Sequence, residues 1–191
     1  MASFLVLYTT GEGQTGKVAD RIGSRIAERG HDVETIQHGE ATPKQSLRNY
    51  DGIAIGASIH RGKHQPSIRQ FVTNHREDLA RTPSAFFQLS LASATDEGRS
   101  EAAGYVETFL EASRWDPDRV GVFGGALRYS RYGFLTRLLM KQIAKRNIEE
   151  FPSPDSVGDI EFTDWHEVEA FADDFAAFVE ARTGERHPVE P

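Results

Sequence analysis

Short, nearly continuous hydrophobic runs alternate along this chain with amphipathic stretches. The runs at 4–8, 32–37, 52–57, 84–91 and 120–124 predict strands, of the kind found in a parallel sheet covered on both faces. Between them, helical spacing predicts helices over 15–29, 66–79 and 100–112, with a short one near 44–49. A last helix is predicted over 164–181, where Val168, Phe171, Phe175 and Phe178 form one stripe and Thr163 stands as the expected cap. Strand–helix alternation builds βαβ units and a doubly wound α/β sheet, and five parallel strands favour the order 2-1-3-4-5. Ligands of such sheets lie at the carboxyl ends of the strands. That directs attention to the connections at 9–15, 58–65 and 92–99.

Length and charge narrow the picture. The 191 residues suit a single domain over 1–182, carrying an insertion at about 127–150 and ending in a polar tail over 183–191. With no cysteine, disulfides, thiolate metal sites and thiol redox chemistry are excluded. A formal net charge of −7 argues against nucleic-acid binding. The opening "MASFLVLY" reads as a strand, and no apolar stretch approaches the roughly 20 residues needed to span a bilayer. No spacing of His, Asp and Glu suggests a metal site.

The first connection, "TTGEGQTGK", fits several glycine-rich patterns at once. A P-loop needs Ser or Thr directly after its lysine, and Val18 stands there. A dinucleotide site wants an acid at the end of the second strand, and Glu40 falls beyond it. A terminal phosphate is better served, because N–H groups at a helix N-terminus and the hydroxyls of Thr9, Thr10 and Thr15 all donate hydrogen bonds. The plain alternative is a tight strand-to-helix turn with Thr15 as N-cap.

An island of basic residues interrupts an otherwise acidic chain. From Arg128 to Arg146, cations accumulate without an acid, and Leu135, Leu138, Leu139 and Ile143 recur at helical spacing behind Tyr129, Tyr132 and Phe134. Such a basic amphipathic helix with aromatic anchors suits a membrane surface, or packs its apolar face on the sheet as a crossover.

The segments "LYTTGEGQT", "IGASIHRGKHQPSIRQFV", "TPSAFFQLSLAS", "WDPDRVGVFGGALRYSRY" and "FTDWHEVEAFA" resemble, in order and spacing, the flavodoxin-like menaquinone-dependent protoporphyrinogen dehydrogenases of haem biosynthesis. The resemblance implies a flavodoxin-like fold, one FMN, a porphyrinogen substrate and a quinone acceptor. Carried over by position, it assigns phosphate contacts to Thr9, Thr10, Gly11, Gly13, Gln14 and Thr15, with Glu12 offering only its backbone N–H. It sets Ala57, Ser58, Ile59, His60, Arg61 and Gly62 on one side of the flavin ring, and Ser90, Leu91, Ala92 and Ser93 on the other. Neither "SIHRGKHQ" nor "ASATDEG" contains Trp, Tyr or Phe, so a ring face stays open to a flat partner, and His60, Arg61 and Lys63 bring positive charge near it. His60 is the best candidate acid or base, a weak one, with His64 and His75 behind it. Arg128 and Arg131, with Tyr129 and Tyr132, are expected to bind the substrate, the arginines as bidentate partners of its propionates. The resemblance suggests a cytoplasmic enzyme attached peripherally to the inner face of the cell membrane through 128–147. A quinone reductase fed by NAD(P)H, an electron-carrier flavodoxin, a flavin-free interaction module and homo-oligomer formation all stay open at this level.

Overall fold

The computed structural model of the chain describes residues 1–94, 98–127 and 160–186. Its strands are β1 (Ser3–Tyr8), β2 (Asp32–Gln37), β3 (Gly52–His60), β4 (Lys63–His64), β5 (Ser84–Ser90), β6 (Arg119–Gly124), β7 (Ala126–Leu127) and β8 (Ile160–Glu161). The five long strands are parallel, in the order β2-β1-β3-β5-β6. Taken alone they read 2-1-3-4-5, as the sequence predicts. β4 turns back antiparallel on β3, and β7 pairs with β8 as a separate two-stranded ladder.

The helices are α1 (Gln14–Glu28), α2 (Pro66–Asn74), α3 (Arg76–Leu79), α4 (Arg99–Ser113) and α5 (Trp165–Arg186). The single helix expected over 66–79 is broken at His75, whose backbone leaves the helical region at φ −108°. The stretch near 44–49 closes as one 3-10 turn, Leu47–Asn49. Thr163 does not cap the last helix. Asp164 does, its Oδ1 accepting the N–H groups of His166 (2.9 Å) and Glu167 (3.3 Å). No helix among the described residues is long and apolar enough to cross a membrane.

Why the strands read as unbroken apolar runs is clear from β1. Phe4 and Val6 face α1 and α5, together with Ile22, Phe87 and Phe175. Leu5 and Leu7 face the other layer, with Ile68 of α2 and Phe109 of α4. Successive side chains point to opposite faces, so two covered faces require apolar residues at every position. β6, at the sheet edge, departs from this: Val120 and Val122 remain 45% and 36% exposed while Phe123 is buried.

α5 docks through Val168, Ala172, Phe175, Ala176 and Val179, all fully buried. Its flank carries an ionic ladder. Lys17, Arg21 and Arg25 recur every fourth residue on α1, with Arg29 at its C-cap, and so share one face. They pair with Glu161 (3.0 Å), Glu169, Asp173 (2.9 Å) and Glu180 (2.7 Å) respectively. His31 Nδ1 accepts the Ala2 N–H (3.3 Å), so its Nε2 carries the proton that reaches Glu180 (2.8 Å). These pairs are solvated and screened, so the apolar stripe is the main adhesive.

Gly56, midway along β3, has no room for a side chain. A Cβ there would stand 2.1 Å from Cζ of the fully buried Phe87. Gly56→Ala is therefore expected to cost roughly 1–3 kcal/mol through overpacking. Calorimetry should register a fall in Tm of about 2–10 °C; an unchanged Tm would mean that the ring can swing aside.

Candidate functional site

Where β1 ends, the Thr9 N–H donates to the Gly56 carbonyl (2.9 Å) and the chain turns out of the sheet. Thr10 Oγ1 accepts the Gly13 N–H (2.8 Å), which closes Gly11 and Glu12 into a tight loop. Gly13 sits at φ 94°, a left-handed conformation that costs a residue with a Cβ about 1–2 kcal/mol. Helix α1 starts at the next residue, and no side chain caps it. Thr15 therefore lies inside the first turn and is not the N-cap. Gly11 is exposed and Glu12 half-buried.

Two polar atoms of this turn are unexplained by the protein alone. Thr9 and Thr15 are 2% and 1% exposed, and both hydroxyls are buried with no hydrogen-bond partner. A buried unpaired hydroxyl costs about 1–3 kcal/mol. Both lie at the positive end of a helix dipole whose N-cap, Gly13, supplies no side-chain acceptor. An anion rich in acceptor oxygens answers all of these needs together, so the residues present fit the terminal phosphate expected from the sequence. The Gln14 side chain is directed elsewhere: its Nε2 donates to Thr163 Oγ1 (2.9 Å).

The second expected segment is not a loose loop. β3 continues through Ala57, Ser58 and Ile59 to His60, turns at Arg61 and Gly62, and returns as β4, with Ile59 opposite His64 and His60 opposite Lys63. Arg61 and Gly62 have φ of 52° and 75°. Two successive positive values suit a tight hairpin turn, whose first position usually goes to Asn, Asp or Gly. Arginine there holds about 1–2 kcal/mol of backbone strain, a feature that concentrates at working sites. Ala57 is buried, Ser58 and Ile59 half-buried, and His60, Arg61 and Gly62 exposed.

The third segment follows β5. The Ser90 and Ser93 hydroxyls share a hydrogen bond (2.6 Å), and the Ser93 N–H reaches Ser90 Oγ (3.1 Å). Leu91 and Ala92 are half-buried between them. Two glycines pin the turn. A Cβ on Gly98 would stand 2.1 Å from the Ala92 carbonyl oxygen, and the Gly125 N–H donates to the Ser90 carbonyl (2.9 Å). The pairs Tyr8–Gly56, Ser58–Leu89 and Ser90–Gly124 bring all three segments to one edge of the sheet. Sequence patterns had not flagged Gly98 or Gly125 and had read Thr163 only as a helix cap; the partners of Gly125 and Thr163 are distant in the chain.

The three candidate histidines sit in different environments. His60 is exposed at the hairpin tip. His64 is packed against Phe109 (4.7 Å between centroids) and Phe86 (5.7 Å). Burial pushes its pKa down to about 4, and a nearby Gln88 draws it back only slightly. Neither His64 Nε2 nor Gln88 Oε1 has a well-formed hydrogen bond, so burial prevails and the ring is neutral at pH 7. His75 lies 3.9 Å from Asp78, away from the site on α3. Tyr8, whose ring a Cβ at position 16 would approach to 3.2 Å, has its phenol pKa raised by burial and by Asp20 and Glu40. Among the described residues, no group of three or more His, Cys, Asp or Glu side chains could hold a metal ion. Arg128, Tyr129, Arg131, Tyr132 and the basic stretch to residue 147 lie outside the described residues.

Known proteins resemble this chain in sequence and fold. The flavodoxin domain family matches residues 5–152. The protoporphyrinogen IX dehydrogenase (quinone) of Leishmania major is 37% identical over 177 residues, 91% of this chain and 74% of its own. Its namesake from Escherichia coli strain K12 is 35% identical over 182 residues, 94% of this chain and 97% of its own. A solved flavodoxin from the domain Archaea, 17% identical, superposes with a TM-score of 0.51 over 93% of this chain and 99% of its own, a likeness of fold. A flavodoxin domain implies a flavin as cofactor. On sequence and fold together, the chain belongs to the flavodoxin domain family and, within it, to the protoporphyrinogen IX dehydrogenases (quinone).

Proposed function

We propose that the chain oxidises protoporphyrinogen IX to protoporphyrin IX, with FMN as its cofactor and a quinone of the menaquinone type as acceptor. The names of its relatives support the substrate and the acceptor. One observation carries FMN: the two buried, unpartnered hydroxyls of Thr9 and Thr15 at the uncapped start of α1. Bound there, FMN supplies the redox chemistry, and the protein supplies position and field. Thr9, Thr10 and Thr15 hold the phosphate with N–H groups of the loop and first helical turn, including that of Glu12, while the Gly13 N–H stays on Thr10 Oγ1. The hairpin at 57–62 and the turn at 90–93 flank the ring. Exposed His60, Arg61 and Lys63 lend positive charge on the hairpin side. Neither flank offers an aromatic lid, which leaves access for a flat tetrapyrrole.

Arg128 and Arg131 pair with the propionates, and Tyr129 and Tyr132 line the macrocycle. The same basic stretch, 128–147, contacts the anionic membrane surface where quinone resides. Replacing Arg137, Lys141 and Lys145 together with Gln should weaken binding to anionic vesicles, each lost cation contributing about 1 kcal/mol. Equal sedimentation of parent and variant with such vesicles would remove the membrane role.

The decisive experiment is anaerobic. Protoporphyrinogen IX added to the FMN-loaded protein should bleach the flavin absorbance, and a menaquinone analogue should restore it. A flavin spectrum indifferent to porphyrinogen would defeat the proposal.

A further inference from the structure

Phe162 and Thr163 form a strap that joins the two halves of the proposed flavin site. The Thr163 hydroxyl accepts from Gln14 Nε2 (2.9 Å) and donates to the Gly124 carbonyl (2.8 Å). Both side chains are buried, Gln14 being 5% and Thr163 9% exposed. One residue earlier, the Phe162 N–H donates to the Gly125 carbonyl (3.0 Å), and the Gly125 N–H donates to Ser90 (2.9 Å). The fit is close: a Cβ on Gly124 would stand 2.3 Å from the Phe162 carbonyl oxygen. So the strap holds the ring-side turn through Gly125 and the phosphate-side turn through Gln14.

Gln14 opens α1 between Gly13, at φ 94°, and Thr15, with its unpartnered buried hydroxyl. Anchoring the Gln14 side chain therefore fixes where the N–H groups and hydroxyl of the cradle point. The anchor is reinforced beside it, where Glu161 pairs with Lys17 (3.0 Å) and accepts the Trp165 indole N–H (3.0 Å). We infer that Thr163 is a positioning residue for the cofactor phosphate, acting through Gln14. This rests on the FMN reading of the cradle.

Thr163→Val keeps the shape, removes both hydrogen bonds and leaves the Gln14 amide only its hydrogen bond to Glu161, which does not hold it against Gly124. Fluorescence titration should show the FMN dissociation constant rising about ten-fold or more. The phosphorus-31 resonance of bound FMN should move from its parental position, because the donors around it have shifted. Thr163→Ser, which keeps the hydroxyl, should restore both. Gln14→Met, which removes the same contact from the other side, should repeat the effect and serves if the valine variant fails to fold. An unchanged dissociation constant would overturn the inference, as would weaker binding with the phosphorus resonance unmoved, the mark of general destabilisation. If the parent protein itself binds no FMN, the cradle reading fails, an outcome distinct from either.

Discussion

Replacing Thr9 and Thr15 together with valine is expected to weaken FMN binding by roughly 10²–10⁴-fold while leaving the flavin-free protein as stable as the parent, or more so. Each hydroxyl would donate a charge-assisted hydrogen bond to phosphate, worth about 1.5–3 kcal/mol. Two such bonds give about 3–6 kcal/mol, and each 1.4 kcal/mol is about ten-fold in affinity. The sign for the flavin-free protein follows from the same atoms. Both hydroxyls are buried without partners, so a methyl group of equal size removes an unmet desolvation cost. Titration of FMN fluorescence and thermal melts without FMN would measure the two effects separately. A lower Tm with full FMN affinity would mean that these hydroxyls serve the fold and not a ligand.

The parent protein should lose roughly 2–3 kcal/mol of stability from His64 alone as pH falls from 6.5 to 4.5, and His64→Phe should be spared that loss. In the unfolded chain this ring titrates near 6.5, whereas in the fold burial pushes it down to about 4. Between those values the unfolded chain binds a proton that the folded one refuses, so stability rises with pH across that window and is flat above it. Below about 4 the folded ring is protonated as well and no further loss accrues. The carboxylates act lower on the scale. Arg29 holds Glu180 below its usual range, and Arg21 does the same for Glu169. Burial raises the Glu161 carboxyl, but hydrogen bonds from Lys17, Gln14 and Trp165 outweigh it and keep it low. Their contributions are present above the ordinary carboxylate range and lost below it, outside most of the histidine window. Urea denaturation of both proteins at pH 7 and 4.5 would decide: equal losses would show that His64 is not the group responsible.

Much of the architecture was legible because parallel strands leave a local signature. "FLVLY", "GIAIGA" and "SAFFQLS" are apolar throughout since both faces are covered, and the order of the parallel strands followed. The turn between β1 and α1 was legible for a similar reason, its glycines and threonines being contiguous. What escaped depended on partners far along the chain. Thr163 is a reasonable helix cap by position, yet its hydroxyl bonds to Gly124 and Gln14, and Asp164 takes the cap. Nothing local marks the rungs from Arg25 and Arg29 to residues about 150 positions away. The β3–β4 hairpin was hidden because arginine stands where Asn or Gly would have announced the turn. His60 and His64 look alike as letters, and only packing against Phe109 separates an exposed ring from a neutral, half-buried one.

The short ladder between β7 and β8 has an evolutionary consequence. Ala126 faces Glu161 and Leu127 faces Ile160, so the polypeptide departs and comes back at neighbouring points beyond the last long strand. Whatever is spliced between those rungs can grow, shrink or be exchanged without rethreading the sheet. Selection for new recognition can work there while the redox platform beneath stays constant.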